Sequence, residues 1–399
     1  MIPNDETLLH RTGGSFKGRL WLGLENTLND GSPSGFEAIV DSQYSCGSLD
    51  SGYLLPAIAI DKEAATVVGR MPDAFFSDQS VLIPIHPQIL RTITSYPDHI
   101  TLHEGFLDVV PTASQRTVFA PSLNACVKLH FPMMIGRYSR DLSLFKWISA
   151  IERSRELQAL ACADAGFEIL PELDGAFLLE DLPTAGGVIL RDMSSLFCER
   201  RSNRLLIPAF SMFAERDGHP PVIVSIIEHF GLDTKSCFEL FLKPLIYSFW
   251  TCATKVGLIP EMNAQNVLFE VDPDTAETRI VLRDTGDFFV DLSMRTDLGK
   301  HTSFCTYKTI SRDSDSDYFE RRSFAFDFKL GEYILEPIIE AASSLRFIEE
   351  PILRELLREF ARSRFGTEYF GSSDYWYRYP KRLGTSRNAY ERVQQPKFR

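Results

Sequence analysis

The apolar residues of this chain change their spacing once, near residue 196, and that change limits the folds open to it. Between residues 81 and 192 they come in short runs closed by turn residues: VLIPIHPQIL, CVKLHFPMMI, GFEIL, GAFLLE and GGVILRD. Short, β-branched and aromatic runs of this kind read as strands. Beyond 196 the runs lengthen. PPVIVSIIEHFG opens after prolines and stops at Gly231, and SCFELFLKPLIYSFWTCATKVG stays apolar up to Gly257. Proline at the start and glycine past the end are the marks of helices. The chain therefore reads as α+β, a mixed or antiparallel sheet lobe followed by a largely helical lobe.

At 399 residues the chain is longer than one ordinary core accommodates. Four segments are expected. Residues 1–75 are rich in Gly, Ser and Asp, with two islands, RLWLGL and YLLPAIAI, that read as strands. Residues 76–195 form the sheet lobe, crossed by one helix in RDLSLFKWISAIERSRELQALACADAG, where Leu144, Ile148 and Ile151 recur at helical spacing. Residues 196–370 form the helical lobe, with further amphipathic helices over 340–365. Residues 371–399 are an aromatic, basic tail that reads either as a ligand cover or as unstructured chain.

Lys plus Arg total 42 against 54 Asp plus Glu, a net charge of −12. That balance opposes non-specific binding to nucleic acid or to an anionic membrane. The opening MIPNDETLLHRTGG holds no signal-like apolar run, and no later stretch is long enough to span a bilayer, so a cytoplasmic protein is expected. The 7 cysteines stand singly, without a CxxC pair, as reduced thiols packed as small hydrophobes do.

Against this acidic background, Val109 to Arg140 contains no Asp or Glu, yet it holds Arg116, Lys128, Arg137 and Arg140. Lys128 and His130 alternate with Val127, Leu129 and Phe131, so in a strand they would share the face opposite the apolar residues, a face suited to line a cleft. The preceding PTASQRT offers Thr112, Ser114, Arg116 and Thr117 in a turn-like setting. Hydroxyls and a guanidinium fork are what phosphate or carboxylate oxygens need. The competing reading is a solvated cationic face paired with acids elsewhere.

A second constellation lies in GLIPEMNAQNVLFEVD. Glu261, Gln265 and Asn266 precede the strand VLFEV, and Asp284 and Asp287 close the next one, in RDTGD. Two antiparallel strands would bring both turns to one end of a hairpin. Hard oxygens gathered there suit magnesium, and an Asn before one strand with an Asp after the next is the order that holds metal in protein kinases. The plainer alternative is an Asx-rich hairpin end with no ligand. There is no GxxxxGK[ST], GxGxxG, HExxH or GxSxG. His86 reads as a turn or core histidine, or as a ligand contact.

Taken in order, LIPIHPQ, PTASQRTV, VKLHFPM with Arg140 after it, GGVILRD, EMNAQN and VLRDTGD resemble the IucA/IucC-like siderophore synthetases, which work without nonribosomal peptide synthetases. The resemblance runs from about residue 80 to about 290. It implies a cupped-hand architecture, with a nucleotide between a sheet-bearing fingers lobe and a helical palm. It also implies an ATP- and Mg2+-dependent ligase that adenylates a carboxylate, citrate or a related polycarboxylate, and passes it to an amine or alcohol with loss of AMP. A homodimer is compatible with it.

Carried over by motif, Ser114, Arg116, Thr117 and Lys128 would face the nucleotide phosphates, and Arg140 the phosphates or the acid. Gln265 and Asn266 would serve the nucleotide. Glu261, Asn266 and Asp284 would serve the metal. The electrostatics agree, because an anion attacking a triphosphate needs cations, and Arg116, Lys128, Arg140 and magnesium supply them without any covalent enzyme nucleophile. Two departures stand out. Asn263 occupies the place of a family histidine associated with the acid substrate, and the N-terminal segment is reduced to residues 1–75. They leave open a nucleotide-binding paralogue or partner subunit without turnover. The Asn and Asp order by itself leaves open a kinase-like small-molecule phosphotransferase.

Overall fold

The structure, a computed structural model, describes residues 16–25, 40–46, 52–91, 100–135, 138–142, 144–164, 166–182, 185–198, 201, 203–215, 218–305, 307–371, 376–378, 391–393 and 396–399. These fall into two compact units, one within residues 16–155 and 170–206, the other within 156–169 and 207–399. Arg137 lies outside the described residues.

The first unit contains α1 (Phe16–Glu25), β1 (Tyr53–Asp61), β2 (Ala65–Val68), β3 (Ser80–Pro84), the single turn α2 (Pro87–Leu90), β4 (Ile100–Pro111), β5 (Thr117–Ala120) and β6 (Ala125–Leu129). A small hairpin follows, β7 (Phe131–Ile135) with β8 (Tyr138–Arg140), and then α3 (Leu144–Ala163) leads to β9 (Phe167–Ile169), a strand of the other unit. The chain comes back through β10 (Asp174–Leu182) and β11 (Ala185–Asp192). One eight-stranded sheet results, in the order β2-β10-β11-β6-β5-β4-β1-β3.

This order places β1 between β3 and β4 and pairs β2 with β10, so the boundary read at residue 75 falls inside one sheet. Pro56 lacks an N–H for the ladder, and the register of β1 against β4 slips there, between Leu55 and Ala57. CVKLHFPMMI, read as one strand, breaks at His130 into β6 and β7. RLWLGL is helix rather than strand. Trp21 and Leu22 are both fully buried, and Trp21 meets Phe119 edge-on at 5.0 Å. Burial of consecutive residues suits a helix, whereas a half-buried strand alternates.

One face of the sheet carries the main core, including Ile58, Val109, Val118, Val127, Leu129 and Val188. The other face of β10 and β11 is covered by α3, with Trp147 5.7 Å from Phe177 and with Ala150 and Ile151 beside Ile189. Ile148, expected on that buried stripe, is 51% exposed. The buried face of α3 is set by Trp147 and turns away from Ile148.

The second unit has a four-stranded sheet, β12-β14-β15-β9, of β12 (Leu205–Pro208), β14 (Val267–Val271), β15 (Thr278–Leu282) and β9. Around it in sequence lie α4 (Ala209–Phe213), α5 (Val222–Phe230), α6 (Thr234–Cys237) and α7 (Lys243–Lys255), the last two joined by a π segment, Phe238–Leu242. Gly231 ends α5 in the left-handed region (φ 60), the conformation glycine adopts without steric cost. Beyond the sheet come β13 (Leu258–Ile259), β16 (Phe289–Asp291), α8 (Leu292–Asp297), β17 (Thr309–Ile310) and α9 (Tyr318–Ser323). A second π segment, Phe324–Leu335, leads into α10 (Glu336–Ala342), and α11 (Glu350–Phe365) follows.

Aromatic rings fill this unit's core: Phe326 lies 5.2 Å from Phe249 and 5.0 Å from Phe365. A buried ion pair, Arg322 to Asp291 at 2.6 Å, is completed by the Tyr318 hydroxyl, which donates to Asp291. The expected tail is partly built in. Residues 376–378 pair with 391–393, and Phe398 is 1% exposed against the second π segment. A Cβ on Gly331 would fall 2.5 Å from the Phe398 ring. Arg399 donates to the buried Asp327 at 2.9 Å. Among the described residues no helix is long and apolar enough to cross a membrane.

Candidate active site

In the first unit, the segment 112–117 folds as a tight turn made by its own hydroxyls. Thr112 Oγ1 donates to the Thr117 carbonyl (2.6 Å), and Ser114 Oγ accepts from the Thr117 N–H (2.9 Å). Gln115, between them, sits in the left-handed region (φ 63), an unusual conformation for a residue with a Cβ. Thr117 is buried, and Ser114 and Arg116 are half-buried. Arg116 Nη1 donates to the Arg140 carbonyl (2.9 Å) and to the Leu129 carbonyl (3.4 Å), which ties the turn to β6 and β8. Arg116 and Arg140, expected together, are therefore neighbours.

Lys128 and His130 do lie opposite the core face occupied by Val127 and Leu129, but neither is open to solvent: Lys128 is 7% exposed and His130 9%. Lys128 Nζ lies 3.7 Å from Glu172 Oε1, an oxygen that also accepts from Arg191 Nη2 at 2.6 Å. Glu172 is fully buried. A buried carboxylate demands paired charge, and Lys128 and Arg191 both supply it to Glu172. Of the two readings of the cationic segment, the structure supports acid pairing for Lys128, with Glu172. Glu172 and Arg191 went unassigned in the sequence, although Arg191 lies in GGVILRD. His130 Nδ1 accepts from the Leu142 N–H (3.1 Å).

His86 is fully buried and caps α2, its Nδ1 accepting from the Gln88 N–H at 3.2 Å; burial pushes its pKa down to about 4. It is a turn histidine, held neutral. Cys46, Cys126, Cys237, Cys252 and Cys305 are buried as core hydrophobes, burial pushing the Cys237 thiol up to about 12, whereas Cys162 and Cys198 are exposed, against the expectation that all seven pack inside.

In the second unit, β14 and β15 pair antiparallel with Val267 opposite Leu282, and the hairpin brings the two polar turns to one end as expected. The Arg283 N–H donates to the Asn266 carbonyl (3.0 Å), and Arg283 Nε donates to the Gln265 carbonyl (2.6 Å). Asn263 Oδ1 accepts from the N–H groups of Gln265 (3.0 Å) and Asn266 (3.2 Å), an Asx turn that shapes the loop from within. Asn266 Nδ2 donates to the Glu261 carbonyl at 3.2 Å. Asp284 lies in the left-handed region (φ 63) at the start of the single 3₁₀ turn Thr285–Asp287.

Glu261 is engaged on both carboxylate oxygens. Lys308 Nζ lies 2.8 Å from Oε2 and Lys329 Nζ 2.7 Å from Oε1. Lys308 also reaches Asp287 Oδ1 at 2.8 Å. Burial works against the Lys308 ammonium, but the carboxylates of Asp287 and Glu261 outweigh it and hold its pKa above the ordinary lysine value. Neither lysine carried a sequence signal, since ion pairs between distant segments have no characteristic spacing.

Among the described residues no three His, Cys, Asp or Glu side chains gather as a metal cage. Both carboxylate oxygens of Glu261, expected on the metal, are taken by ammonium groups, so the hard side-chain oxygens that remain as candidate ligands are those of Asn266 and Asp284. Such a set fits magnesium held mostly by water and phosphate oxygens, with few protein ligands.

No family model matches the chain. The L-2,3-diaminopropanoate–citrate ligase of Staphylococcus aureus is 22% identical over a match covering 48% of this chain and only 36% of that protein's length. Three solved structures cover more. The petrobactin biosynthesis protein AsbB from Bacillus anthracis superimposes with a TM-score of 0.75 at 14% identity, over 98% of this chain and 79% of that one. ATP-bound aerobactin synthetase IucA from a hypervirulent pathotype of Klebsiella pneumoniae gives 0.71 at 16% identity, over 98% and 82%. Aerobactin synthetase IucC from the same pathotype gives 0.68 at 15%, over 87% and 70%. At such identities the likeness establishes the fold, and the α+β arrangement expected from the sequence is the fold of these synthetases.

Proposed function

We propose that this chain, which has the fold of the siderophore synthetases, is an ATP- and magnesium-dependent ligase that adenylates a carboxylate of citrate or a related polycarboxylate and transfers the acyl group to an amine or alcohol. The observation that carries the reading is the hairpin end of the second unit, where Asn266 and Asp284 are joined through the Arg283 N–H in a fold whose relatives include an ATP-bound synthetase.

Chemically, a carboxylate oxygen attacks the α-phosphorus, an acyl–phosphate bond forms, the α–β bridge breaks and pyrophosphate leaves. The amine nitrogen then attacks the acyl carbon, loses its proton, and expels AMP. Each step gathers negative charge on phosphate oxygens, so the work of the protein is positioning and charge stabilisation. Arg116, Lys128 and Arg140, the cations the family resemblance assigns to the phosphates, would meet that charge, with the Ser114 and Thr117 turn fixing Arg116. Asn266 and Asp284 would hold magnesium, with Gln265 toward the nucleotide and Glu261, engaged by Lys308 and Lys329, bracing the loop rather than ligating; the metal would neutralise the phosphates. Asn263 would donate its Nδ2 hydrogens to the acid, without the charge a histidine could bring.

Incubation with ATP, magnesium, a panel of di- and tricarboxylates and either polyamines or hydroxylamine should release AMP and pyrophosphate. Release of ADP instead, or no AMP with any acid, would remove the proposal.

A further inference from the structure

Three segments far apart in the sequence meet at one nitrogen. Lys308 Nζ lies 2.8 Å from Glu261 Oε2, 2.8 Å from Asp287 Oδ1 and 3.2 Å from the Asp287 carbonyl. The ammonium has three hydrogens and three acceptors within reach, so its donor capacity is matched. Lys329 takes the second oxygen of Glu261 at 2.7 Å, its Nζ 5.5 Å from the centre of the Phe324 ring. Two cations and two carboxylates thus form one half-buried, neutral cluster between the 261–266 loop and the turn after Asp284.

The backbone at Lys308 adds a second observation. Its φ is 52, in the left-handed region that a lysine rarely adopts, and its own carbonyl accepts from the Val290 N–H at 2.9 Å beside β16 and β17. Asp284, which opens the turn that carries Asp287, is strained in the same sense (φ 63). Strained non-glycine residues persist only where their surroundings hold them, and they concentrate at functional sites.

Resting on the function proposed above, we infer that Lys308, with Lys329 behind it, is a positioning residue: it clamps the Glu261 carboxylate to the Asp287 turn and so fixes the separation between the Asn266 loop and Asp284. The clamp acts through Glu261 and Asp287 and needs no contact with substrate. A clamp made wholly of the chain's own side chains would hold the two turns in advance of binding and reduce the ordering required at that moment.

The test uses the full chain carrying Lys308→Met, Lys308→Arg or Lys329→Met. Hydrogen exchange of the 261–266 amides, followed in the nucleotide-free protein, should be about tenfold faster in Lys308→Met. Affinity for magnesium–ATP by calorimetry should weaken by about tenfold or more, with the KM for ATP rising further than the KM for the acid. Lys308→Arg, which keeps a cation, should recover part of both effects, and Lys329→Met should show a smaller loss. Faster exchange with unchanged nucleotide affinity and unchanged KM would overturn the positioning role, as would unchanged exchange. If the wild-type chain itself binds no nucleotide, the function reading fails, and faster exchange in Lys308→Met still identifies the clamp on the loop.

Discussion

The Arg283 N–H donates to the Asn266 carbonyl at 3.0 Å, one step beyond the last ladder pair of Val267 with Leu282. That bond extends the hairpin by one step, and the next residue, Asp284, adopts the left-handed region at the start of the turn Thr285–Asp287. The backbones of Asn266 and Asp284 are therefore set directly by the strand pairing they flank.

Asp284→Asn keeps the shape of the side chain and tolerates the same backbone, but it removes the charge. It should lower kcat/KM by about a hundredfold or more, the range for losing one preorganised electrostatic contact. Melting temperature should stay within a few degrees of wild type. Pyrophosphate release and thermal unfolding, measured side by side, check this; full activity would place the metal elsewhere.

Arg116→Ala should abolish turnover and also cost stability, because the guanidinium supports the Arg140 and Leu129 carbonyls. Loss of two such bonds is worth about 1–3 kcal/mol. Arg116→Lys should fold better than the alanine variant yet remain poorly active, since a single ammonium cannot reproduce the fork. Denaturant unfolding with AMP release separates the two effects.

Asn263→Ala should destabilise the chain by about 1 kcal/mol, through loss of both Asx-turn bonds to Gln265 and Asn266. Asn263→His should fold more nearly as wild type, since a histidine Nδ1 can accept one such bond, as His86 does from Gln88. If the imidazole meets the acid substrate, the KM for citrate should fall while the KM for ATP holds. Steady-state kinetics with each substrate varied in turn decide it.

Asp327 is fully buried, and burial, only partly offset by Arg399, raises its carboxyl to about 6. A carboxyl with a raised folded-state pKa adds stability that is complete below its unfolded value and is lost as pH rises through the folded one. The wild type should therefore gain about 2 kcal/mol relative to Asp327→Asn between about pH 7 and about pH 4.5. Paired melts at both pH values test the sign, and a difference that does not grow on acidification would contradict it.

The parts of the molecule legible in sequence were those governed by local rules. VLFEV and the strand closed by RDTGD declared a hairpin, and the hairpin alone brought Asn266 to Arg283, the residue before Asp284. Gly231 and Gly257 marked helix ends. The unreadable parts were decided by partners far along the chain. Trp21 makes a helix of RLWLGL because Phe119 and Phe197 receive its ring. Lys128 looked like a cleft residue because nothing near it in sequence announces Glu172. Ile148 had the correct period and the wrong phase, since Trp147 fixed the buried face. Lys308 and Lys329 were silent, being ordinary lysines until the fold brought Glu261 between them.

Gly331 has no side chain, and the Phe398 ring occupies the volume one would need. The two positions are therefore halves of a single steric key. A Gly331→Ala substitution would force the buried Phe398 ring to move, and a Phe398→Ala variant would leave a ring-sized slot beside Gly331. Small aromatic molecules that restore the melting temperature of such a variant would be entering that slot, which would make the end of this chain a place where stability can be titrated from outside.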